Sequence, residues 1–280
     1  MSRPIDEPIT SLENPQVRLA RSLLEPAGRR RHRAFLVEGH RLVEAAAATA
    51  IPRLVLHTPH FGRSDAQERT LLRRLRGAGV PVRPVEDRVL ADVTDTVTPQ
   101  GIVAVMPLPA EETPLSTAWS GAGGEVLLLI LDAVGDPGNA GTLLRSAAGT
   151  GVSAVIATRG TVDLFSPKVV RAGAGAHFQV AVQADQRWSD LNGQLASLCG
   201  RGQVLLADAD AATPYWEADW TKPSAVVVGN EAHGASDAAR DVATGAICIP
   251  TRRVESLNVA VAGSIILFEA LRQRTVTTDH

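Results

Sequence analysis

Three segments of the sequence combine glycines with polar side chains whose types could bind a ligand or catalyse a reaction. The first is GDPGNAGTLLRSA over residues 135–147, which contains Asn139 and Arg145. A glycine loop that leads into a helix can hold an anion on its backbone N–H groups. Asn139 is also a good N-cap for a helix beginning near Ala140, and Arg145 would then point away from it, at ~100° per residue. The segment is therefore either an anion site or an ordinary capped turn.

The second segment is VGNEAHGAS over residues 228–236, where Gly229 and Gly234 bracket Asn230, Glu231 and His233. A carboxylate among glycines could accept a proton or bind a hydroxyl or amine group of a ligand. Glu231 and His233 are two positions apart and lack the HExxH spacing of a zinc site, so we predict no metal. The sequence also has no GxSxG elbow, which argues against a serine hydrolase.

The third segment is IPTRRVESLNVAVAGSIILFEALRQR over residues 249–274. Ser256 is predicted to cap a helix that runs to about Arg274, although simple capping would explain this serine completely. The helix interior is apolar on nearly all sides, which predicts a buried helix. Asn258, in the first turn, is expected near the ligand-binding edge of the fold.

Six apolar runs separated by helical stretches follow residue 125, and they are typical of a parallel sheet covered on both faces. They are 126–131, 152–157, 179–182, 203–207, 225–229 and 246–250. Parallel sheets bind ligands outside the carboxyl ends of their strands. The three segments above lie at such ends, and Ala207 and Asp208 lie at the end of the fourth run. We therefore expect the binding site there.

The first part of the chain is predicted to be a smaller α/β unit. Strands are expected at 35–37, 53–57 and 101–106, and helices at 14–24, 41–48 and 68–76. Residues 107–124 are rich in proline, glycine and small polar residues, which indicates a linker. The predicted organisation is an N-terminal domain over 1–106, a linker over 107–124 and a second domain over 125–280.

The charge is distributed unevenly between these parts. The chain of 280 residues has a net charge of −2, but residues 1–110 hold 16 arginines against 12 acidic residues, a net +4, which leaves −6 for the rest. Basic clusters lie at 29–33 and 69–76. Arginine suits phosphate, and with only 4% aromatic residues a base-stacking platform is not expected. RNA would be bound through its phosphates and its shape. A solvated basic face without a binding role, or a coding bias toward arginine, would produce the same sequence pattern.

The sequence also bears on the cellular compartment. No apolar run approaches the ~18 residues of a membrane span, and the N-terminal residues contain acids and prolines where a signal peptide would be apolar. Two cysteines without a CxxC pattern indicate reduced thiols. We expect a soluble, cytoplasmic protein with no membrane partner.

Taken in order, the three segments resemble one family. N-x-G-x-x-x-R, G-N-E-x-x-G and I-P…S-L-N-V-x-x-A are similar to the motifs of SpoU-type (TrmH-like) RNA ribose 2′-O-methyltransferases of the SPOUT superfamily. They are carried here by Asn139, Gly141, Arg145, Gly229, Asn230, Glu231, Gly234, Ile249, Pro250, Ser256, Leu257, Asn258, Val259 and Ala262. Residues 163–182 resemble the segment between the first two motifs, and the N-terminal part resembles the RNA-binding domain of longer members.

The resemblance implies a fold, a cofactor and a partner. The fold would be α/β, with a deep trefoil knot in a C-terminal parallel-sheet domain and a smaller N-terminal α/β domain like a ribosomal protein. The cofactor would be S-adenosyl-L-methionine, and the enzyme would be a homodimer through its knotted domain.

The resemblance also assigns roles to residues. Cofactor contacts would come from Gly229, Ile249, Leu257, Asn230, Glu231, Gly234, Ala207 and Asp208. Catalysis would involve Arg145, Glu231, Asn139, Ser256 and Asn258, with the proton acceptor left open between Arg145 and Glu231. RNA would be bound by Arg29, Arg30, Arg31, Arg33, Arg73 and Arg74.

The predicted activity is methylation of a ribose 2′-hydroxyl, with large-subunit ribosomal RNA favoured as substrate. The alternatives are a tRNA methyltransferase and a knotted RNA-binding protein without activity; a housekeeping and an antibiotic-resistance role remain equally open. A doubly wound NAD(P) enzyme is disfavoured because the GxGxxG fingerprint is absent.

Overall fold

The computed structural model describes residues 7–109, 126–199 and 202–278, and most of the predicted linker lies outside them. The chain divides into two units. The first comprises the residues up to Pro109 together with Phe165–Phe178, and the second comprises the remainder. The first boundary lies close to the predicted end at residue 106, but residues 165–178, which the prediction placed in the second domain, belong to the first unit.

The first unit is an α/β structure on a four-stranded sheet with strand order β1-β4-β2-β3. Its elements are α1 (Pro15–Ser22), α2 (Pro26–His32), β1 (Ala34–Glu38), α3 (His40–Thr49), β2 (Leu54–His57), α4 (Ala66–Gly77), β3 (Val82–Pro84), α5 (Asp87–Asp92) and β4 (Ile102–Pro107). Strand β4 is antiparallel to β1 and β2, and β3 is parallel to β2. The three predicted strands and three predicted helices are present, whereas the short β3 was not predicted.

Residues Phe165–Phe178 join this unit through apolar and charged contacts. They contain the short helix α7 (Pro167–Ala172). The Phe165 ring packs on Phe35 of β1 at a centroid distance of 5.0 Å. Arg171 forms a bidentate ion pair with Asp95. The segment resembles a methyltransferase segment in sequence, but sequence similarity does not show which unit a connection packs against.

The second unit contains a seven-stranded, entirely parallel sheet with strand order β7-β6-β5-β10-β8-β11-β9. Its elements are β5 (Leu127–Leu131), α6 (Pro137–Gly149), β6 (Ala154–Thr158), β7 (Ala181–Gln186), α8 (Trp188–Cys199), β8 (Gln203–Ala207), β9 (Thr213–Pro214), β10 (Ser224–Val228), α9 (Asp237–Val242), β11 (Gly245–Cys248) and α10 (Val259–Thr278). The α/β class is thus confirmed. All six predicted strands exist. Strands β5, β6 and β10 are buried along their whole length, as continuous Val, Leu and Ile runs predict, whereas the edge strand β7 is exposed or half-buried throughout.

Two predicted helix caps are wrong by a few residues. Helix α6 begins at Pro137, and Asp136, whose side chain accepts a hydrogen bond from the backbone N–H of Asn139, is its cap. Helix α10 begins at Val259, and its first turn is capped by Asn258, which accepts from the N–H groups of Ala260 and Val261. Asn139 and Ser256 therefore do not cap these helices, so their side chains are available for other contacts.

Helix α10 is buried on one side only, contrary to the prediction of a fully buried helix. Ala260, Leu267 and Ala270 are buried, whereas Val261 and Phe268 are 48% and 52% exposed. None of the described helices is both long and apolar enough to span a membrane.

Candidate functional site

The site lies at the carboxyl edge of the second sheet, where β5, β10, β8 and β11 end side by side. The loop after β5 leads into α6, the loop after β10 carries the GNEAHG segment, and the segment after β11 leads into α10. Because adjacent parallel strands end at the same edge, these connections are brought together although they are far apart in sequence.

The carboxylate of Glu231 joins the second segment to the first. Its Oε2 accepts a hydrogen bond from the backbone N–H of Gly135 at 3.1 Å, and Oε1 accepts from the N–H of Asp136 at 3.2 Å. Oε1 also accepts from Nδ2 of Asn139 at 2.9 Å. The carboxylate thus occupies the entrance to helix α6, where unpaired N–H groups favour negative charge.

Asn139 is also hydrogen-bonded to the third segment. Its Oδ1 accepts a hydrogen bond from Nδ2 of Asn258 at 3.0 Å. Since the Oδ1 of Asn258 caps α10, the orientation of both amide groups is fixed by the hydrogen bonds on either side. Glu231, Asn139 and Asn258 therefore form one chain of side-chain hydrogen bonds across the three segments.

Two further contacts fasten the GNEAHG loop to the loop after β5. Asn230 donates from Nδ2 to the carbonyl of Ala133 at 2.9 Å, and Ala133 has a positive φ of 57°. Asp132, only 2% exposed, accepts from the N–H of Ser236 at 2.7 Å. It also accepts from the indole of Trp188 at 2.8 Å. Asp132 was not among the predicted site residues; the signal that the sequence offered was a lone acidic residue at the end of an apolar run.

Gly229 is needed for the shape of this loop. A Cβ on Gly229 would lie 2.3 Å from the carbonyl carbon of Gly234, closer than real Cβ atoms approach other atoms. The backbone hydrogen bonds between Asn230 and Gly234, both 2.9 Å, close the loop at this point. Only glycine allows so close a backbone contact.

Burial would raise the pKa of the Glu231 carboxyl, but the hydrogen bonds from Asn139 and from backbone N–H groups outweigh it and hold the pKa below its ordinary value. Glu231 is therefore ionised at neutral pH. A carboxylate with a lowered pKa and several donors is a weak proton acceptor.

Beside this network lies a cleft of about 630 Å³. Of the residues predicted to bind the cofactor, every one lines it: Gly229, Ile249, Leu257, Asn230, Glu231, Gly234, Ala207 and Asp208. Ser256 and Asn258 also line it. The charged side chains in its wall are mostly acidic, which suits a cationic sulfonium cofactor, and glycine backbone is exposed for close contact.

Arg145 and Asn139 are not among the residues that line the cleft. Arg145 lies on the exposed side of α6 and forms no hydrogen bond or ion pair with the residues that the structure describes. Helix α6 is held against α10 by a hydrogen bond between the hydroxyls of Ser146 and Ser264, at 2.7 Å. The structure thus joins Asn139, Glu231 and Asn258 directly and places Arg145 two turns along the same helix.

The arginines predicted to contact RNA lie in the first unit, and one of them is unavailable. Arg29 is 3% exposed and donates to the carbonyls of Leu23 and Leu24 at 2.7 and 2.8 Å, so it stabilises the turn after α1. That prediction needs correction, because adjacent arginines on one short helix cannot all face solvent. Arg30, Arg31, Arg73 and Arg74 are exposed; Arg33 is half-buried and donates to the carbonyl of Pro109.

Within the described parts of the chain, no group of three or more His, Cys, Asp or Glu side chains is arranged to hold a metal ion.

Comparisons with known proteins agree with this architecture. The model of the SpoU rRNA Methylase family matches residues 126–268, and that of the MRM3-like substrate binding domain matches residues 14–104. The chain is 35% identical to the uncharacterized tRNA/rRNA methyltransferase slr1673 of Synechocystis over 95% of this chain and 94% of that protein. It is 31% identical to the 23S rRNA (guanosine(2553)-2′-O)-methyltransferase RlmP of Bacillus subtilis, over 93% and 97% respectively.

The solved structure of the AdoMet-bound rRNA methyltransferase from Sinorhizobium meliloti superposes with a TM-score of 0.82 at 28% identity, covering 96% of this chain and 98% of that one. The family model and the relatives named as rRNA methyltransferases show that the chain is an RNA methyltransferase. The chain belongs to the SpoU rRNA Methylase family. The predicted family and the predicted cofactor, S-adenosylmethionine, are thereby confirmed.

Proposed function

We propose that the protein transfers the methyl group of S-adenosylmethionine to a ribose 2′-hydroxyl of large-subunit ribosomal RNA. The observation that carries this proposal is the hydrogen-bond chain from Glu231 through Asn139 to Asn258, beside a cleft lined by all the predicted cofactor residues. The large-subunit substrate is supported by the 23S rRNA specificity in the name of the Bacillus relative and by the substrate-binding domain at residues 14–104.

The proposed reaction needs alignment more than bond activation. When bound, S-adenosylmethionine supplies a methyl group on an already activated sulfonium. The new bond would join the ribose oxygen to the methyl carbon while the carbon–sulfur bond breaks. The electron pair of that bond would stay on sulfur, which leaves as S-adenosylhomocysteine, and the hydroxyl proton would pass to solvent water. Holding the two reactants in line can contribute ~7–11 kcal/mol. Glu231, Asn139 and Asn258 are suited to this task because each is oriented by the next.

Arg145 is proposed to bind the RNA next to the reacting ribose. Its guanidinium is exposed and unpaired among the described residues, so it can hold a phosphate or stabilise negative charge developing on the 2′-oxygen. A guanidinium has several hydrogen-bond donors and no acceptor, so we do not assign Arg145 the role of proton acceptor. Because Glu231 is a weak base held by three donors, we assign it to positioning Asn139 and not to accepting the proton.

Three further features belong to the proposal. The chain returns from β11, near one edge of the sheet, to α10 packed beside α6, which supports the trefoil knot of the family. The exposed Val261 and Phe268 on α10 support a homodimer through this unit. The bacterial relatives support action in the cytoplasm.

The test is to map 2′-O-methylated positions in ribosomal and transfer RNA from cells with and without the protein. We expect one ribosomal position to lose its methyl group and to regain it with purified protein and S-adenosylmethionine. A lost position in tRNA instead would overturn the proposed substrate. No lost position and no methyl transfer in vitro would support an inactive binding protein.

Arg145→Ala provides the mechanistic arm of the experiment. Methyl transfer should fall by about 100-fold or more, since a charge-stabilising group is removed, while RNA retention changes little. Arg159→Ala is the matched control, because Arg159 is an exposed arginine of the same unit that pairs with Asp185 at 3.7 Å and does not line the cleft. Full activity of Arg145→Ala would refute the assigned role.

A further inference from the structure

The cleft wall contains one basic side chain whose role neither the motifs nor the mechanism explains. Among the described residues that line the cleft, Arg240 is the only arginine or lysine, while Asp208, Asp210 and Glu231 are acidic. We propose that Arg240 binds the carboxylate of the methionine part of S-adenosylmethionine. This inference rests on the proposed function, because it assumes that the cleft holds this cofactor.

The guanidinium of Arg240 is anchored at one end only. Its Nη1 lies 3.1 Å from Oδ2 of Asp208. Asp208 is itself fixed, since its backbone N–H donates to the carbonyl of Ile247 at 3.0 Å and its Oδ1 accepts from the backbone N–H of Asp210 at 3.1 Å. A guanidinium has several N–H donors in a planar fork, so one salt bridge leaves others for a ligand. The side chain of Arg240 is 48% exposed, so a ligand in the cleft can reach it.

The other end of the Arg240 guanidinium lies beside the neighbouring loop. The Nη2 atom of Arg240 lies 3.8 Å from the position that a Cβ on Gly234 would occupy, and Gly234 has a φ of 69°. The guanidinium therefore extends along the wall formed by Gly229–Gly234. Gly234 and Arg240 both line the cleft, so this end of the guanidinium lies in the cleft wall.

The charges of the cofactor match those of the cleft wall only if an arginine faces its carboxylate. S-adenosylmethionine carries a positive sulfonium and a positive amino group, which the acidic residues of the wall can balance. It also carries one carboxylate, which those acidic residues repel. Arg240 is the group in the described wall that can offer that carboxylate charge-assisted hydrogen bonds. Asp208 would then act as a positioning residue that orients Arg240.

The experiment compares two ligands that share the adenosine thioether and differ in the amino-acid part. S-adenosylhomocysteine has the carboxylate, and 5′-methylthioadenosine lacks it. Binding of both to the full-length protein is measured by titration calorimetry without RNA. We expect Arg240→Ala to lower the affinity for S-adenosylhomocysteine by about 10-fold or more and to change the affinity for 5′-methylthioadenosine by less than about 2-fold. Arg240→Lys should recover part of the loss, because it keeps the charge but not the fork.

Arg252→Ala is the matched control. Arg252 is an exposed arginine in the segment between Ile249 and Ser256, next to the cleft but not in its wall. Its removal changes the net charge by the same amount as Arg240→Ala and should affect the affinities for the two ligands equally. Equal weakening of both ligands by Arg240→Ala would show that Arg240 only supports the loop, and no weakening would show that it does not touch the cofactor; either result overturns the proposal. If the unaltered protein binds neither ligand, the proposed function itself fails.

Discussion

Nδ2 of Asn139 donates a hydrogen bond to Oε1 of Glu231 at 2.9 Å, although the two residues are 92 positions apart in sequence. Asn139 lies in the first turn of α6, the helix that carries Arg145, and Glu231 lies in the loop that forms the cleft wall. This bond therefore connects the residues proposed to bind RNA with those proposed to bind the cofactor.

A double-mutant cycle of Asn139→Ala and Glu231→Gln should show coupling between the two side chains. Each single change should reduce kcat, and the double change should cost less than the two together, with a coupling of about 1 kcal/mol. For Asn139→Ala, affinity for S-adenosylhomocysteine should change less than kcat, since Asn139 does not line the cleft. Steady-state kinetics and calorimetry measure both quantities. Strict additivity would show that the bond does not contribute to catalysis.

The lowered pKa of Glu231 makes its stabilising contribution depend on pH. A carboxyl whose pKa is lower in the folded than in the unfolded state stabilises fully above its unfolded value of ~4.3, and the contribution is lost as the pH falls through the lowered folded value. The Tm difference between the unaltered protein and Glu231→Gln should be constant from neutral pH to about pH 5 and should shrink in more acidic solution. Because Glu231 is exposed, we expect its carboxylate to contribute less than ~1 kcal/mol to the free energy of unfolding.

Thermal melts at successive pH values measure this difference. Glu13→Gln, at an exposed carboxylate of the first unit, gives the background expected from a change of net charge alone. A difference for Glu231→Gln that grows on acidification would contradict the assigned direction of the pKa.

The strands and the location of a binding cleft could be predicted from local sequence pattern, whereas the cofactor was predicted from the resemblance to a family. Continuous apolar runs specify buried parallel strands, and the motif residues sit at their ends, so the positions of Ala207, Gly229 and Ile249 at strand ends already indicated the cleft. The helix caps could not be predicted, because Asp136, Asn139, Ser256 and Asn258 are all acceptable cap residues. Which one caps depends on contacts made between segments far apart in sequence.

Other features depended on tertiary packing and were missed or misjudged. Arg29 belongs to a run of arginines, and nothing in the run shows that its guanidinium turns inward to the carbonyls of Leu23 and Leu24. Asp132 and Arg240 carry no motif, and their partners Ser236 and Asp208 lie on other elements. The exposed side of α10 could not be predicted, because apolar residues occur on nearly all sides of that helix.

Gly229→Ala should abolish cofactor binding. The new Cβ would lie 2.3 Å from the backbone of Gly234, so the loop must move and the wall formed by residues 229–234 must change shape. We expect S-adenosylhomocysteine affinity to fall by about 100-fold or more, measured by calorimetry, together with a loss of several degrees in Tm. Gly193→Ala is the control. No atom lies within 4 Å of its added Cβ, and it should stabilise helix α8 by about 0.5–1 kcal/mol.

Arg30→Gln with Arg31→Gln, and separately Arg73→Gln, should weaken RNA binding without changing cofactor affinity. These side chains are exposed in the unit that matches a substrate-binding domain. Removing an arginine that contacts a phosphate should reduce the magnitude of the slope by about 0.7–0.9, where the slope is that of the logarithm of the RNA-binding constant against the logarithm of the salt concentration. Filter binding at several salt concentrations measures the slope. Arg88→Gln, at an exposed arginine paired with Glu86 at 2.7 Å, is the control; an equal change there would indicate only general attraction.

Phe268→Glu should convert the proposed dimer into a monomer. Phe268 and Val261 are seven positions apart on α10, hence on one side of the helix, and both are about half exposed. An apolar helix side that remains open in one copy of the chain is suited to self-association, and a buried unpaired carboxylate in that interface is costly. Sedimentation velocity should show a dimer for the unaltered protein and a monomer for the variant. Val97→Glu, at a fully exposed valine of the first unit, should remain dimeric. A dimeric Phe268→Glu would place the interface elsewhere, and a monomeric unaltered protein would remove the dimer from the proposal.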